Sequence, residues 1–237
     1  MDVRAVATAV VDAILPPLCL HCGAAMARAR PGLCAECLGS IEPLTGSRCR
    51  RCDLPRPGEP ERCARCRPWS PRLEAVAATR YAGPAGTLVR GLKYSGWRHL
   101  AAECADPMGR ALSARGITPD LLVPIPLHRA RRRDRGFNQA RSLAEALGST
   151  LSVPVEDVLD RSRPTASQVG LGRERRWRNV RGAFVARRRL GGETVALVDD
   201  VTTSGATLAA AGDAVLGAGA GRAIGVTWAL AFAPGDR

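Results

Sequence analysis

Two adjacent acids, Asp199 and Asp200, stand just before a run of small and hydroxyl residues, Thr202, Thr203, Ser204, Gly205, Ala206 and Thr207. Ahead of them Val195, Ala196, Leu197 and Val198 read as a buried parallel strand, and Ala206 to Leu216 reads as a helix. The acids therefore sit at a strand's carboxyl end, where open α/β sheets bind ligands. The hydroxyls surround a helix N-terminus, whose free N–H groups favour an anion. Carboxylates beside such a cradle repel a polyphosphate but suit a pair of sugar hydroxyls or a magnesium-bound ligand. The combination points to a ribose 5-phosphate, with its phosphate in the loop and its hydroxyls on Asp199 and Asp200.

A second chemistry is written in cysteines. Eight of the nine fall into four C-x2-C pairs: Cys19 and Cys22, Cys34 and Cys37, Cys49 and Cys52, Cys63 and Cys66. Two intervening residues let both thiolates of a knuckle face one metal, and two knuckles complete a tetrahedral four-thiolate zinc site. Consecutive pairing gives two structural Zn2+ ions, one on Cys19, Cys22, Cys34 and Cys37 and one on Cys49, Cys52, Cys63 and Cys66, and the spacing leaves a crossed pairing open. His21 lies inside the first knuckle as a neighbour or solvated group rather than a ligand, since each site already has four thiols. Cys104 is left over in an Ala-rich helical stretch and reads as a small buried hydrophobe.

The chain carries a formal charge of +13. Each four-thiolate site sets four negative charges against one dication, which brings the metal-loaded chain to about +9. Of the 35 basic residues Lys93 is the one lysine, a skew that reads as coding bias. Position is more telling than number. One cluster runs from Arg129 through Arg131, Arg132, Arg133 and Arg135 to Arg141, and another from Arg161 to Arg181. Guanidinium forks suit phosphate, whether in a nucleotide or in nucleic acid, and a solvated surface is the plainer reading. The segment holding Arg161 to Thr165, Gln168, Leu171, Arg176 and Asn179 reads as irregular, either a flap over the site or a basic surface loop. Lys93, at a helix end, reads as a diphosphate contact or as a cation favoured by the helix dipole.

These groups must be positioned by two units. Residues 1–70 hold the knuckles behind a short amphipathic helix carrying Val3, Val6, Val10 and Ile14, too short and too acidic for export or spanning. The reading is of a cytoplasmic protein without membrane insertion. The segment is rich in Pro and Gly, so metal must supply its folding energy. From residue 71 strands alternate with helices: strands at 76–81, 121–125, 153–159, 183–186 and 224–230, helices at 86–94, 100–114 and 138–147. That alternation implies a parallel α/β sheet. Asn138 is placed to cap its helix. Gly217 to Gly221 follows a helix, not a strand, so it fails as a dinucleotide turn.

The run from Val195 to Thr207 resembles the ribose-phosphate motif of type I phosphoribosyltransferases. The resemblance implies 5-phosphoribosyl 1-diphosphate (PRPP) with Mg2+ as ligand, and a diphosphate-contacting loop at Val123 to His128 and Arg135 to Gln139. Arg135 is the first choice for that contact and for catalysis with Asp199 and Asp200, and Arg129 the next. With Leu92 to Tyr94, Pro124 to Pro126, Thr165, Gln168, Arg176, Asn179 and the knuckles added in order, nearly the whole chain is similar to the ComF family of competence-associated proteins. That resemblance implies an N-terminal double zinc ribbon and a parallel-sheet type I phosphoribosyltransferase domain (71–237). It also implies a link to DNA uptake and natural transformation. The implied activity is phosphoribosyl transfer to an unknown acceptor. The alternative is a non-catalytic factor that binds single-stranded DNA or a helicase partner through a ligand-gated scaffold. Phe137 and Trp177 are the base-stacking candidates for an acceptor in the transferase reading, and Trp97, Trp177 and Trp69 those for a strand in the alternative.

Overall fold

The computed structural model describes residues 16–27, 30–58, 61–162 and 173–232, without the side chains of 129–131 and 173–176. The expected N-terminal helix, Thr165 and Gln168 lie outside the described residues. Four parallel strands form the main sheet: β1 (Leu73–Arg80), β2 (Leu121–Pro124), β5 (Thr194–Thr202) and β6 (Arg222–Leu230), in the order β1-β6-β5-β2. Between them in sequence lie a short antiparallel pair, β3 (Leu159–Arg161) and β4 (Phe184–Ala186). The helices are α1 (Ala35–Gly39), α2 (Gly83–Tyr94), α3 (Ala101–Ser113), α4 (Arg129–Arg135), α5 (Gln139–Leu151), α6 (Arg173–Val180) and α7 (Ala206–Gly217). No helix among the described residues is long and apolar enough to cross a membrane.

β5 is central, and its Val195, Ala196, Leu197 and Val198 are fully buried. Strand periodicity of two sends alternate residues to opposite layers. Ala196 and Val198 join Val76, Ile224, Val226 and Trp228 against α2, α3 and α5, with Leu92, Met108 and Leu143 among the filling residues. Val195 and Leu197 join Leu73, Ala75, Leu121 and Val123 against α7 and the β3–β4 pair. The ribbons feed both layers: Cys19, Met26, Leu33 and Cys37 enter the first, while Cys49, Cys52, Leu54, Cys66 and Trp69 enter the second.

The ribbons also cover the open edge of β1. The N–H groups of Ala75 and Ala77 bond the Arg51 carbonyl at 2.7 Å and the Asp53 carboxylate at 2.9 Å. Thr79 donates its hydroxyl to the Glu42 carbonyl at 2.7 Å. An unpaired edge strand invites association, and these bonds close it.

Three expectations need correction. The basic stretch after β2 is helical, as α4, and part of the segment 160–180 forms α6. Both are arginine-rich and lack a long apolar stripe, so hydrophobic periodicity is silent there. The expected strand 153–159 reduces to a bridge between Val155 and Leu122 before β3 begins. Pro154 lies inside that stretch, and proline cannot donate to a ladder.

Candidate functional site

The carboxyl ends of β5 and β2, the start of α7 and the end of α2 enclose a cleft of about 780 Å³. Its lining includes Lys93, Tyr94, Arg135, Gln139, Asp199 and Asp200, together with every residue from Val201 to Leu208. The fold thus brings together the acids, the hydroxyl loop, Lys93 and Arg135 from three separate segments.

Asp200 is the buried member of the acidic pair, at 3% exposure. One of its oxygens, Oδ1, holds the Lys93 ammonium at 2.9 Å, and Oδ2 is buried without a hydrogen-bond partner. Asp199 is half-buried and accepts the Asp200 N–H at 2.8 Å. Burial and the adjacent Asp200 charge push the Asp199 carboxyl up to about 7, against the pull of Lys93. For Lys93, burial works to lower the pKa, and the Asp200 carboxylate outweighs it, so the ammonium is held above its ordinary value. Two further buried hydroxyls lack partners, Thr202 Oγ1 and Thr227 Oγ1. Thr227 is the register partner of Asp199 on β6. Unpaired buried polar atoms cost about 1–3 kcal/mol each, and here they gather at one strand end.

The loop into α7 is shaped by Gly205, which occupies the N-cap in the left-handed region at φ +76 and offers no side chain to cap the helix. Ser204 Oγ accepts the Ala206 N–H at 3.4 Å. Helix α7 thus meets the cleft with its positive dipole end, the arrangement that binds phosphate.

On the opposite wall, Arg135 donates to Gln139 Oε1 at 2.9 Å, and its guanidinium stands 5.5 Å from the Tyr94 ring centre. Asn138 is the N-cap of α5, accepting the Ala140 N–H at 3.1 Å. It also donates to the Ile125 carbonyl at 3.0 Å, which ties that cap to the loop after β2. Arg129 begins α4 and Arg176 lies on α6, both with side chains outside the described ones. Asn179, also on α6, is not among the described residues that line the cleft. Arg141 turns away, paired with Glu145 at 2.7 Å and Asp157 at 3.1 Å. Of the stacking candidates, Trp69 and Phe137 are buried, and Trp97 and Trp177 are half-buried against the two apolar layers. Among the described residues the aromatic rings at the cleft are instead Tyr94, 73% exposed, and Tyr81. Sequence reasoning passes over both tyrosines as ring contacts, because a lone tyrosine carries no mark of the cleft it will face. Lys93 is legible because it is the chain's one lysine.

The eight knuckle cysteines form two separate clusters, Cys19, Cys22, Cys34 and Cys37, then Cys49, Cys52, Cys63 and Cys66, so the pairing is consecutive. A Zn–S bond of about 2.3 Å puts tetrahedral sulfurs about 3.8 Å apart. The Sγ separations are 3.8 Å for Cys22 and Cys34, 3.7 Å for Cys49 and Cys66, and 3.9 Å for Cys63 and Cys66. The donor sets fit structural zinc, and all eight thiols are free of disulfides. A hydrogen bond from Cys52 holds the Cys66 thiol down to about 5, and the same contact pushes Cys52 up. Four thiols in contact cannot all ionise unless a cation offsets them. His21 is no ligand: its Nδ1 lies 3.1 Å from Thr87 Oγ1 on α2.

The family described as double zinc ribbon domain matches residues 10–67. The DNA utilization protein YhgH of Salmonella typhimurium is 33% identical over 205 residues, covering 82% of this chain and 88% of its own. Competence protein F of Haemophilus influenzae is 28% identical over 200 residues, covering 80% and 86%. The chain belongs to the ComF family. A further ComF relative, Competence protein ComFC of Bacillus subtilis, is 28% identical over 125 residues, 48% of this chain and 51% of its own. In this ComF chain the double ribbon is followed by a parallel α/β domain that carries the cleft.

Proposed function

We propose that the cleft binds PRPP, or a related ribose 5-phosphate, and that the α/β domain, residues 71–237, is a type I phosphoribosyltransferase. The observation that carries this reading is Asp200, a buried carboxylate with one oxygen on Lys93 and the other unpartnered, on the floor of a cleft whose far wall is an anion-binding helix start. Nothing is gained by burying such a group unless a ligand completes it.

The 5-phosphate is received by the backbone and hydroxyls of Thr202 to Thr207. Asp199 and Asp200 accept the ribose hydroxyls. Lys93 and Arg135 face the diphosphate, with Arg129 and the flap residues Gln168, Arg176 and Asn179 as further contacts. In the transfer the acceptor's lone pair forms a bond to C1, and the C1–O bond to diphosphate breaks with its electron pair leaving on diphosphate. Positive charge grows at C1 as negative charge grows on the leaving group, so catalysis is positioning and electrostatic stabilisation. Mg2+ fits this donor set, because it is held through one or two carboxylates and substrate phosphates, and it would neutralise the diphosphate. The exposed face of Tyr94 beside Arg135 suits a planar acceptor.

The relatives are named for competence and DNA utilisation, and a role in handling incoming DNA extends that link to this chain. A second reading, a DNA-binding or adaptor factor with a ligand-gated scaffold, is favoured by the net charge of +13. Calorimetric titration with PRPP and Mg2+ separates the two. Saturable binding that is lost in Asp199→Ala/Asp200→Ala supports the transferase reading. Equal affinity in wild type and double variant overturns it. Binding of single-stranded DNA that weakens steeply with salt supports the second reading.

A further inference from the structure

Trp69 lies three residues beyond Cys66 and is 2% exposed. Its place is set by the ribbon backbone: Cys66 N–H bonds the Cys63 carbonyl at 3.1 Å, and Trp69 N–H bonds the Cys66 carbonyl at 3.0 Å. Two successive turns thus lead from the ligand pair to the indole. The ring comes to rest against Gly205. A Cβ built there would stand 2.3 Å from Trp69 Cζ2, closer than side-chain carbons approach, and a tight 3.1 Å from Cε2. The indole N–H is buried without a hydrogen-bond partner, so no bond of its own fixes the ring. The ribbon holds it there by packing, at the N-cap of the helix whose first turn faces the cleft.

We propose that Trp69 is a positioning residue for the anion loop: the second ribbon presses its indole against Gly205, and the loop from Thr202 to Leu208 keeps its phosphate-accepting shape only while the ring is in place. Occupancy of the Cys49, Cys52, Cys63 and Cys66 cluster then sets the order of the loop through Trp69. The affinity part rests on the ribose-phosphate reading of the loop, and the conformational part does not.

The test compares wild type with Trp69→Phe, which keeps an apolar ring but leaves a gap, by amide hydrogen exchange and by titration with ribose 5-phosphate. Zinc content and thermal unfolding are measured alongside. The expected result is two zinc ions in both proteins, exchange of residues 202–208 faster by about tenfold in the variant, and unchanged exchange over 83–94. The affinity for ribose 5-phosphate falls by about tenfold with it. Unaltered loop exchange in a folded, zinc-loaded variant overturns the proposal. Faster loop exchange with no ribose 5-phosphate binding by either protein upholds Trp69's role and removes the ligand reading instead. Should Trp69→Phe fail to fold, stepwise chelation of the wild type makes the same comparison. Loss of the second cluster's metal must loosen 202–208 before 83–94, and simultaneous loosening of both overturns the proposal.

Discussion

The two ribbons share one ligand spacing and play unequal parts. The first leaves Cys22 exposed and Cys34 half-buried, although its Cys19, Met26, Leu33 and Cys37 pack into the layer of α2, α3 and α5. His21 reaches Thr87, and His99 Nε2 approaches the Pro31 carbonyl at 2.6 Å. The second buries Cys49, Cys52 and Cys66 and is fused to the domain by charge as well as packing. Its Asp53, fully buried, receives Arg48 and Arg115 at 3.1 Å and the Ala77 N–H of β1 at 2.9 Å. Each ribbon also supports a different wall of the cleft. The first backs α2, which ends in Lys93 and Tyr94, and the second backs Gly205 through Trp69. Identical metal chemistry can thus join a core chiefly by apolar packing or by packing with buried charge, depending on what the knuckles touch.

The largest effect that can test this contrast comes from the ligands themselves. Structural zinc contributes about 10–16 kcal/mol in small metal domains, so removing one thiolate is severe wherever the site is integral. Cys66→Ser is expected to lose its zinc and to melt at a much lower temperature, with residues 202–208 loosened before 83–94. Cys22→Ser, at the exposed site, is expected to lose one zinc while residues 73–230 keep a cooperative transition. Metal content by atomic absorption and calorimetric melting decide the matter, and equal damage from both substitutions would erase the distinction.

A smaller effect comes from the polar contacts. Asp53→Ala leaves Arg115 and the Ala77 N–H facing a buried void, and breaking a buried ion pair by one partner costs about 3–5 kcal/mol. His21→Ala removes one hydrogen bond at an exposed residue, worth about 1 kcal/mol. Denaturant midpoints of the two variants measure the difference. Asp53 also sits at φ +61, a conformation that Asn tolerates, so Asp53→Asn is the milder control and should fall between them.

How much of this can be read from the chain depends on whether a feature is local. The β5 strand, the acids and the α7 start follow one another in sequence, and the structure keeps them in that order. The knuckles announce two zinc sites but not their pairing, because all the gaps are alike. Asp53 gives no signal at all: it looks like an ordinary turn acid until β1 is laid beside it. Trp69 reads as a stacking candidate and is instead a buried support, since a lone tryptophan carries no mark of which face will cover it. The first arginine cluster misleads in detail, because Arg141 pairs with Glu145 and Asp157 on the surface rather than with the cleft. Long-range partners decide such roles, and periodicity reports only short-range order.

The finest discrimination lies in pH. Asp199 rises from 3.8 to about 7 through burial and the Asp200 charge, while Lys93 and, more weakly, Arg161 pull it back. Between those values the folded chain keeps a proton that the unfolded chain has released, so this group makes stability fall as pH rises through that window. Asp199→Asn should therefore unfold at higher denaturant than wild type at about pH 8, and the gap should close below about pH 4. Ligand binding runs in the opposite direction, because ribose hydroxyls are best accepted by the ionised acid: affinity for PRPP should rise from about pH 6 to about pH 8. The two ribbons enter this profile differently. Loosening the first ribbon with Cys22→Ser relaxes the packing of Leu20 beside Gly91 of α2 and weakens the hold of Lys93 on the acids, which moves the binding midpoint to higher pH. Altering the second through Trp69→Phe disturbs the phosphate loop and not the acids' counter-ion, which lowers affinity at every pH and leaves the midpoint in place. Titrations of both variants across that range give two curves, one displaced sideways and one displaced downward. If both move in the same way, the ribbons do not divide the cleft between them.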